Sequence, residues 1–431
     1  MFLRSCLLAI GGALLILPAS PLLAQTPTEV PATATPLEAG ARTLVTVLDA
    51  TAVAEDAFTA ALLAQVPYAQ ISAIAGSLTE QYGPPTGIEA IAPVNPTAGL
   101  VTIRLERARI IFKVSVDPAD GNRMNGLFVQ EVIPIGDTPE KIAADLAALP
   151  GSVNAWFGPL DGDAPVISLS PDTPLALGST FKLYVLATLA EEVRAGRRKW
   201  TDIVPLTEKS YPSGQLQNWP KGAPLTLHTL AGLMISISDN TATDQLIELL
   251  GRERIARVMR ETGTTDRDEN APFLKTRELF MLKGGDAAQL AAYRAGDTAQ
   301  RTRILASLKQ QEVTLDQVNA AFAAGPKALD IEWFASPRDL SGLLARLRDR
   351  GDDTARAIIA INPSATPAIR ANWDYIGFKG GSEPGVLNLT WLLRDKAGAW
   401  HVLTLGWNNP AASLDQAALE GIAQRILLLP R

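Results

Sequence analysis

Cysteine is almost absent from this chain, with Cys6 alone among 431 residues. One thiol excludes a disulfide framework and a thiolate-ligated zinc site. Histidine is nearly as scarce. Its two copies, His228 and His401, exclude a histidine-rich metal cage and confine any histidine-dependent triad to those positions. An excess of positive charge is lacking too. Lys+Arg number 39 against 45 Asp+Glu, a net charge of −6, so no basic surface large enough for general nucleic-acid binding is expected. What remains is globular, 47% hydrophobic and 19% charged, which excludes a wholly disordered chain. The length suits two domains with a short N-terminal extension.

That extension reads as an export signal. Arg4 precedes the uninterrupted apolar or small run Cys6–Leu17, and Pro18 to Ala24 supplies small residues at a cleavage point. The run is too short to span a bilayer and no stop-transfer segment follows, so residues 1–24 are expected to be a signal peptide rather than a stable membrane anchor. The expected location is periplasmic or secreted. Residues 25–40, rich in Pro, Thr and Ala, lack apolar periodicity and read as a flexible linker.

Helical spacing follows at Phe58, Leu62, Leu63 and Val66, then at Ile71, Ile74 and Leu78. Period-two runs come next, at Val101, Ile103 and Leu105, at Ile110, Phe112, Val114 and Val116, and at Leu127 and Val129. The turn sequence Asp117–Asn122 separates the last two. Helices followed by an antiparallel meander make a small α+β domain over 41–150. The second domain, 151–431, opens with strands at Val153–Phe157 and Pro165–Leu169. Three more are expected at Tyr375–Lys379, Val386–Leu393 and Trp400–Leu405, with a closing helix over Ala412–Leu429. Its antiparallel sheet is therefore split between the ends of the domain, with helices inserted between. The fold class is a two-domain α+β protein.

Three short motifs carry chemistry. Ser179-Thr180-Phe181-Lys182 is an S-x-x-K string, of which chance supplies about half of one match in such a composition. Its context is stronger, because the apolar helical pattern of Leu183, Val185, Leu186 and Leu189 follows. At the first turn of that helix Ser179 and Lys182 share one face, and an unprotonated lysine can activate a serine. Burial and a second cation nearby both push a lysine towards that neutral form. Ser238-Asp239-Asn240 has a chance expectation of only about 0.03; a helix N-cap is the plain alternative. Lys-Gly-Gly occurs twice. The copy at Lys283 reads as a helix stop and a structural feature. The copy at Lys379 ends a strand and continues through Gly381 and Ser382, where glycines let a ligand approach an edge strand closely.

The order S-x-x-K, S-D-N, K-G-G-S resembles the penicillin-recognising serine hydrolases, class A β-lactamases in particular, over about residues 151–431. The extra N-terminal domain, the stretch Pro272–Phe280 and Gly380 look most like the two-domain β-lactamase-like esterases of clavulanic-acid biosynthesis clusters. The resemblance implies a β-lactamase-like C-terminal domain and a cystatin-like or steroid-isomerase-like N-terminal one. It implies Ser179 as acylated nucleophile, Lys182 as its base or proton shuttle, and Ser238 as relay to the leaving group. Asn240, Lys379, Gly381 and Ser382 would bind substrate. Lys379 would offer charge to a substrate carboxylate and help keep Lys182 neutral, and the N–H groups of Ser179 and Ser382 would form the oxyanion hole. The implied partner is a small acyl substrate, a β-lactam, an ester or an acyl-peptide, with no cofactor and no metal.

One departure shapes the expected activity. The glutamate that activates water in class A enzymes, in an E-x-x-L-N setting, has no match here. Glu312 lies in a long helical insertion and Glu278 in a different helical context, so neither is assigned the role. Acylation with slow β-lactam turnover is the expectation. A genuine β-lactamase, a D,D-peptidase and a catalytically silent binding protein are the alternatives. His228 and His401 have no triad partner in the sequence, and Trp219, Trp333, Trp373 and Trp407 read as core before cleft.

Overall fold

The computed structural model describes residues 34–49, 54–162, 164–263 and 268–429. The expected signal peptide and most of the expected linker lie outside the described residues. The remainder of that linker is ordered differently from the expectation, because residues 36–40 begin the helix Pro36–Leu48. A reciprocal capping box starts it, with Thr35 accepting from the Glu38 N–H and Glu38 from the Thr35 N–H. Pro36 sits in the first turn, where its missing N–H costs nothing. Leu37, Ala41, Leu44 and Leu48 then bury one helical face.

That helix, with Tyr68–Tyr82, packs on a four-stranded antiparallel meander made of Pro85–Asn95, Ala98–Leu105, Ala108–Asp117 and Arg123–Pro134. The period-two residues Val101, Ile103, Leu105, Ile110, Phe112, Val114 and Val116 all face the helices and are buried. The first strand went unread in the sequence because it is largely exposed, and so carries little apolar alternation.

The second unit is built on a five-stranded antiparallel sheet. Its order is Trp373–Glu383, Val386–Asp395, Trp400–Asn408, Ser152–Pro159 and Ile167–Leu169. Strands from both ends of the segment thus join side by side in one sheet, as the pattern of the sequence implies. Both faces are covered. Leu389, Trp391 and Leu393 pack against the closing helix Gln416–Leu427, whereas the intervening Leu392 faces the inserted helices. The helix Pro139–Ala147 inserts Ile142 and Leu146 into the same core as the closing helix. The change of partner therefore falls near residue 138 rather than 150. The helix Lys182–Arg194 is buried along almost its whole length, since Leu183 through Ala190 are all enclosed. Among the described residues no helix is long and apolar enough to cross a membrane.

Candidate active site

Ser179 lies not in an α-helix but in the single 3₁₀ turn Gly178–Phe181 that leads into Lys182–Arg194. Three residues per turn brings positions i and i+3 into line, so Ser179 and Lys182 share a face for this reason rather than through α-helical spacing. Ser179 is half-buried, while Lys182 is fully buried. Lys182 Nζ meets three oxygens: the Ser238 carbonyl at 2.7 Å, Ser238 Oγ at 3.0 Å and Asn240 Oδ1 at 2.7 Å. Burial, and then the charge of Lys379, push Lys182 well below the usual lysine range, against the opposing pull of Asp244 and Asp239. The partners suit a neutral amine. Two N–H bonds satisfy the two carbonyl-type oxygens, which leaves the lone pair of a neutral amine free to accept a proton from a neighbouring hydroxyl.

The S-D-N segment is a tight link between the helices Leu227–Ser236 and Asn240–Leu250. Ser238 takes a left-handed conformation, φ +57°, which turns its carbonyl and hydroxyl together towards Lys182. Asp239 is the N-cap of the following helix, accepting from the Ala242 N–H at 2.9 Å. It also holds the Gln215 and Leu216 N–H groups, at 2.7 and 2.9 Å. The N-cap alternative for this motif is thus correct for Asp239, while the residues flanking it face the lysine. The Asn240 amide donates to the Tyr211 carbonyl at 3.0 Å, which fixes its oxygen on Lys182.

Lys379 is buried, 4% exposed, on the edge strand, and its ammonium bonds the Gly380 carbonyl. Burial lowers it to about 7. Gly380, Gly381 and Ser382 line the cleft beside Ser179, with Lys379 beneath them. At Gly381 a Cβ would stand 2.1 Å from the Leu177 carbonyl and 2.4 Å from the Ser179 nitrogen. A Cβ on Gly178 would stand 2.8 Å from the Ser382 nitrogen. Only glycine lets the edge strand lie against the serine turn, and the approach brings the Ser179 and Ser382 amides into the same corner.

The cleft over Ser179 has a volume of about 620 Å³. One wall is apolar, formed by Leu279, Phe280, Val318 and Phe322, with the Phe280 and Phe322 rings 5.5 Å apart edge to face. Phe181, beside Ser179, stacks on Trp333 at 3.6 Å with Phe273 against its edge. Trp333 is thus both core and cleft wall; Trp373 and Trp407 lie in the core behind the sheet, and Trp219 is exposed. His228 is exposed, and His401 pairs with Asp395 at 2.9 Å, so neither reaches the serine.

Glu278 is held by Arg252 at 2.8 Å and by the Lys275 N–H, and Glu312 is exposed. Neither lines the cleft. Among the described residues the two carboxylates that do are Glu332 and Glu383, and sequence reasoning passed over both. Each faces Lys283, which terminates the helix Thr276–Gly284 as its Lys-Gly-Gly context suggests, yet is completely buried. A glutamate in the otherwise apolar string Ile331-Glu332-Trp333-Phe334 was the available signal.

A model of the beta-lactamase enzyme family matches residues 138–359, just over half the chain, including Ser179, Lys182, Ser238 and Asn240. No curated protein matches. Among solved structures, a beta-lactamase from Sphaerobacter thermophilus DSM 20745 is 23% identical, covering 67% of this chain and 94% of its own, with a TM-score of 0.45. A beta-lactamase from Chitinophaga pinensis DSM 2588 is 14% identical, with 67% and 96% covered and a TM-score of 0.45. A mutant of PBP-A, in an acyl-enzyme complex with penicillin G, is 16% identical, with 67% and 94% covered and a TM-score of 0.45.

Proposed function

Because the chain belongs to the beta-lactamase enzyme family, a family of serine hydrolases, we propose that it is an exported hydrolase acting through an acyl-Ser179 intermediate. The observation that carries this reading is the setting of Lys182, buried, repelled by Lys379 and bonded by a set of oxygens that a neutral amine satisfies. Neutral Lys182 takes the Ser179 proton as Oγ attacks the substrate carbonyl. The tetrahedral oxyanion then sits between the Ser179 and Ser382 N–H groups. Ser238 passes the proton from Lys182 to the leaving nitrogen or oxygen as the scissile bond breaks.

The substrate is a small acyl compound, a β-lactam, ester or acyl-peptide. The Leu279–Phe280–Val318–Phe322 wall favours one with an apolar or aryl group. Asn240 and the Gly380–Ser382 strand bind its polar atoms, and Lys379 acts chiefly through its charge on Lys182. Deacylation needs a base against a held water. Glu278 and Glu312 do not line the cleft, and Glu332 and Glu383 both face Lys283. A bulky penicilloyl group is therefore cleared slowly and a short acyl group faster. Esterase assays with short acyl esters beside nitrocefin test this. Rapid nitrocefin clearance contradicts the slow-turnover reading.

A further inference from the structure

Lys283, Glu332 and Glu383 form a buried ion cluster at the rear of the cleft, and the acyl-transfer scheme leaves it without a task. Glu332 Oε2 accepts from the Gly178 N–H at 3.2 Å and from the Trp333 N–H at 3.1 Å, while its Oε1 lies 3.7 Å from Lys283 Nζ. The same Nζ bonds Glu383. Gly178 immediately precedes Ser179, and Glu383 immediately follows Ser382.

We propose that these three side chains are positioning residues that hold the two amides of the oxyanion site in register. The proposal rests on the acyl-serine reading above. The serine turn and the edge strand come from opposite ends of the domain, and at this corner they meet through van der Waals contact at Gly178 and Gly381 and through the Thr180 hydroxyl, 3.5 Å from the Lys379 carbonyl. One ammonium reaches both, through Glu332 on the turn side and Glu383 on the strand side. Burying three ionisable groups is not an economical route to stability, since apolar replacements of similar volume are often neutral or better. Their place beside the amides that receive developing charge gives a reason to keep them. An error of about 1 Å there costs about 100-fold in rate.

The charge state is compatible with that location. Burial and the neighbouring Glu383 raise Glu332 to about 8, and burial also raises Glu383. Side by side and buried, the two carboxylates therefore resist carrying two negative charges at once. Asp330, the nearest further acid in the same segment, is occupied by Arg294 at 2.6 Å. A second free negative charge at this point would oppose an oxyanion.

The test compares Glu332→Gln, Glu332→Ala and Lys283→Met in the full chain. It measures short-ester kcat and KM, the acylation rate with a fluorescent penicillin, and the melting temperature. A glutamine oxygen still accepts the Gly178 N–H but its NH2 cannot accept from Lys283, so Glu332→Gln is expected to lose about 5- to 10-fold in acylation, less than Glu332→Ala. Glu332→Ala and Lys283→Met are expected to lose roughly 30- to 100-fold in kcat and acylation rate, with KM within about threefold. Folded Glu332→Ala with wild-type acylation overturns the proposal. So does trapping of the acyl-enzyme by Glu332→Gln, which would make Glu332 a general base. Should Lys283→Met not fold, the Gln and Ala pair at position 332 decides alone. If the unmodified protein takes no label at Ser179, the acyl-serine reading itself fails. Labelling with no effect of the cluster variants defeats only the positioning role.

Discussion

The tripeptide Lys-Gly-Gly occurs at residues 283 and 379, and the two copies live in opposite electrostatic surroundings. Lys283 ends a helix and meets two glutamates. Lys379 lies in a strand, is just as deeply buried, and has a backbone carbonyl as its hydrogen-bond partner, so burial drives it to about 7. Identical local chemistry thus yields an ion-paired clamp in one place and a lysine poised near neutrality in the other. The partner set, supplied from far along the chain, decides which. The glycines differ as well. Those at 380 and 381 permit contact with the serine turn, whereas Gly284 and Gly285 end a helix.

The sharpest way to break this contrast is to remove each lysine. Lys379→Ala is expected to lower penicillin acylation by about 10²- to 10³-fold, because Lys182 loses the charge that disfavours its protonation. The fold should persist, as circular dichroism would report. Lys283→Met should have the smaller effect described above, expressed in kcat. Equal losses at both positions would erase the distinction.

A second expectation concerns the close approach that only one of the two glycine pairs makes. Gly381→Ala places a methyl group 2.1 Å from the Leu177 carbonyl. It should cost about 1–3 kcal/mol by denaturant melting and about 100-fold in acylation, since the amide of Ser382 moves. Gly380→Ala meets only the Phe378 ring, at 2.9 Å, and Leu389, and should be milder on both measures.

pH sharpens the contrast next. A lysine whose folded value falls to about 7 binds fewer protons in the folded than in the unfolded chain between about pH 7 and 10.4. The unfolding free energy should therefore rise with pH across that window, by up to about 1.4 kcal/mol per unit from this group. Lys379→Met should remove that slope, as paired melts at pH 7 and 9 would show. Acylation should also fall as the pH is lowered, because Lys182 serves as base only without its proton. The smallest effect on activity is expected at Glu278→Gln, which breaks the buried Arg252 pair and should leave ester hydrolysis within about twofold while lowering the melting temperature.

Much of the site was legible because its signals are short and local. The i, i+3 spacing of Ser179 and Lys182, the Ser238–Asn240 string and the strand that carries Lys379 each stand within a few residues. The split sheet was legible too, since period-two runs bracket a helical middle. The helix Pro36–Leu48 was hidden by a Pro- and Thr-rich composition, although Thr35-Pro36-Leu37-Glu38 is a capping box by sequence. The Lys283 cluster had no such signature. Its members at 283, 332 and 383 come from a helix, a loop and a strand, and only the tertiary fold makes a buried lysine out of an apparent helix stop. The 3₁₀ geometry at Ser179 was equally invisible, because residues at i and i+3 share a face in either kind of turn.

The most direct test of the central claim is the intact mass of the protein after incubation with penicillin G, compared with the Ser179→Ala variant. The account predicts a single adduct of the full penicillin mass, mapped to Ser179 and persisting through buffer exchange, with none on Ser179→Ala. Equal labelling of the variant, or no adduct on either protein, would contradict it.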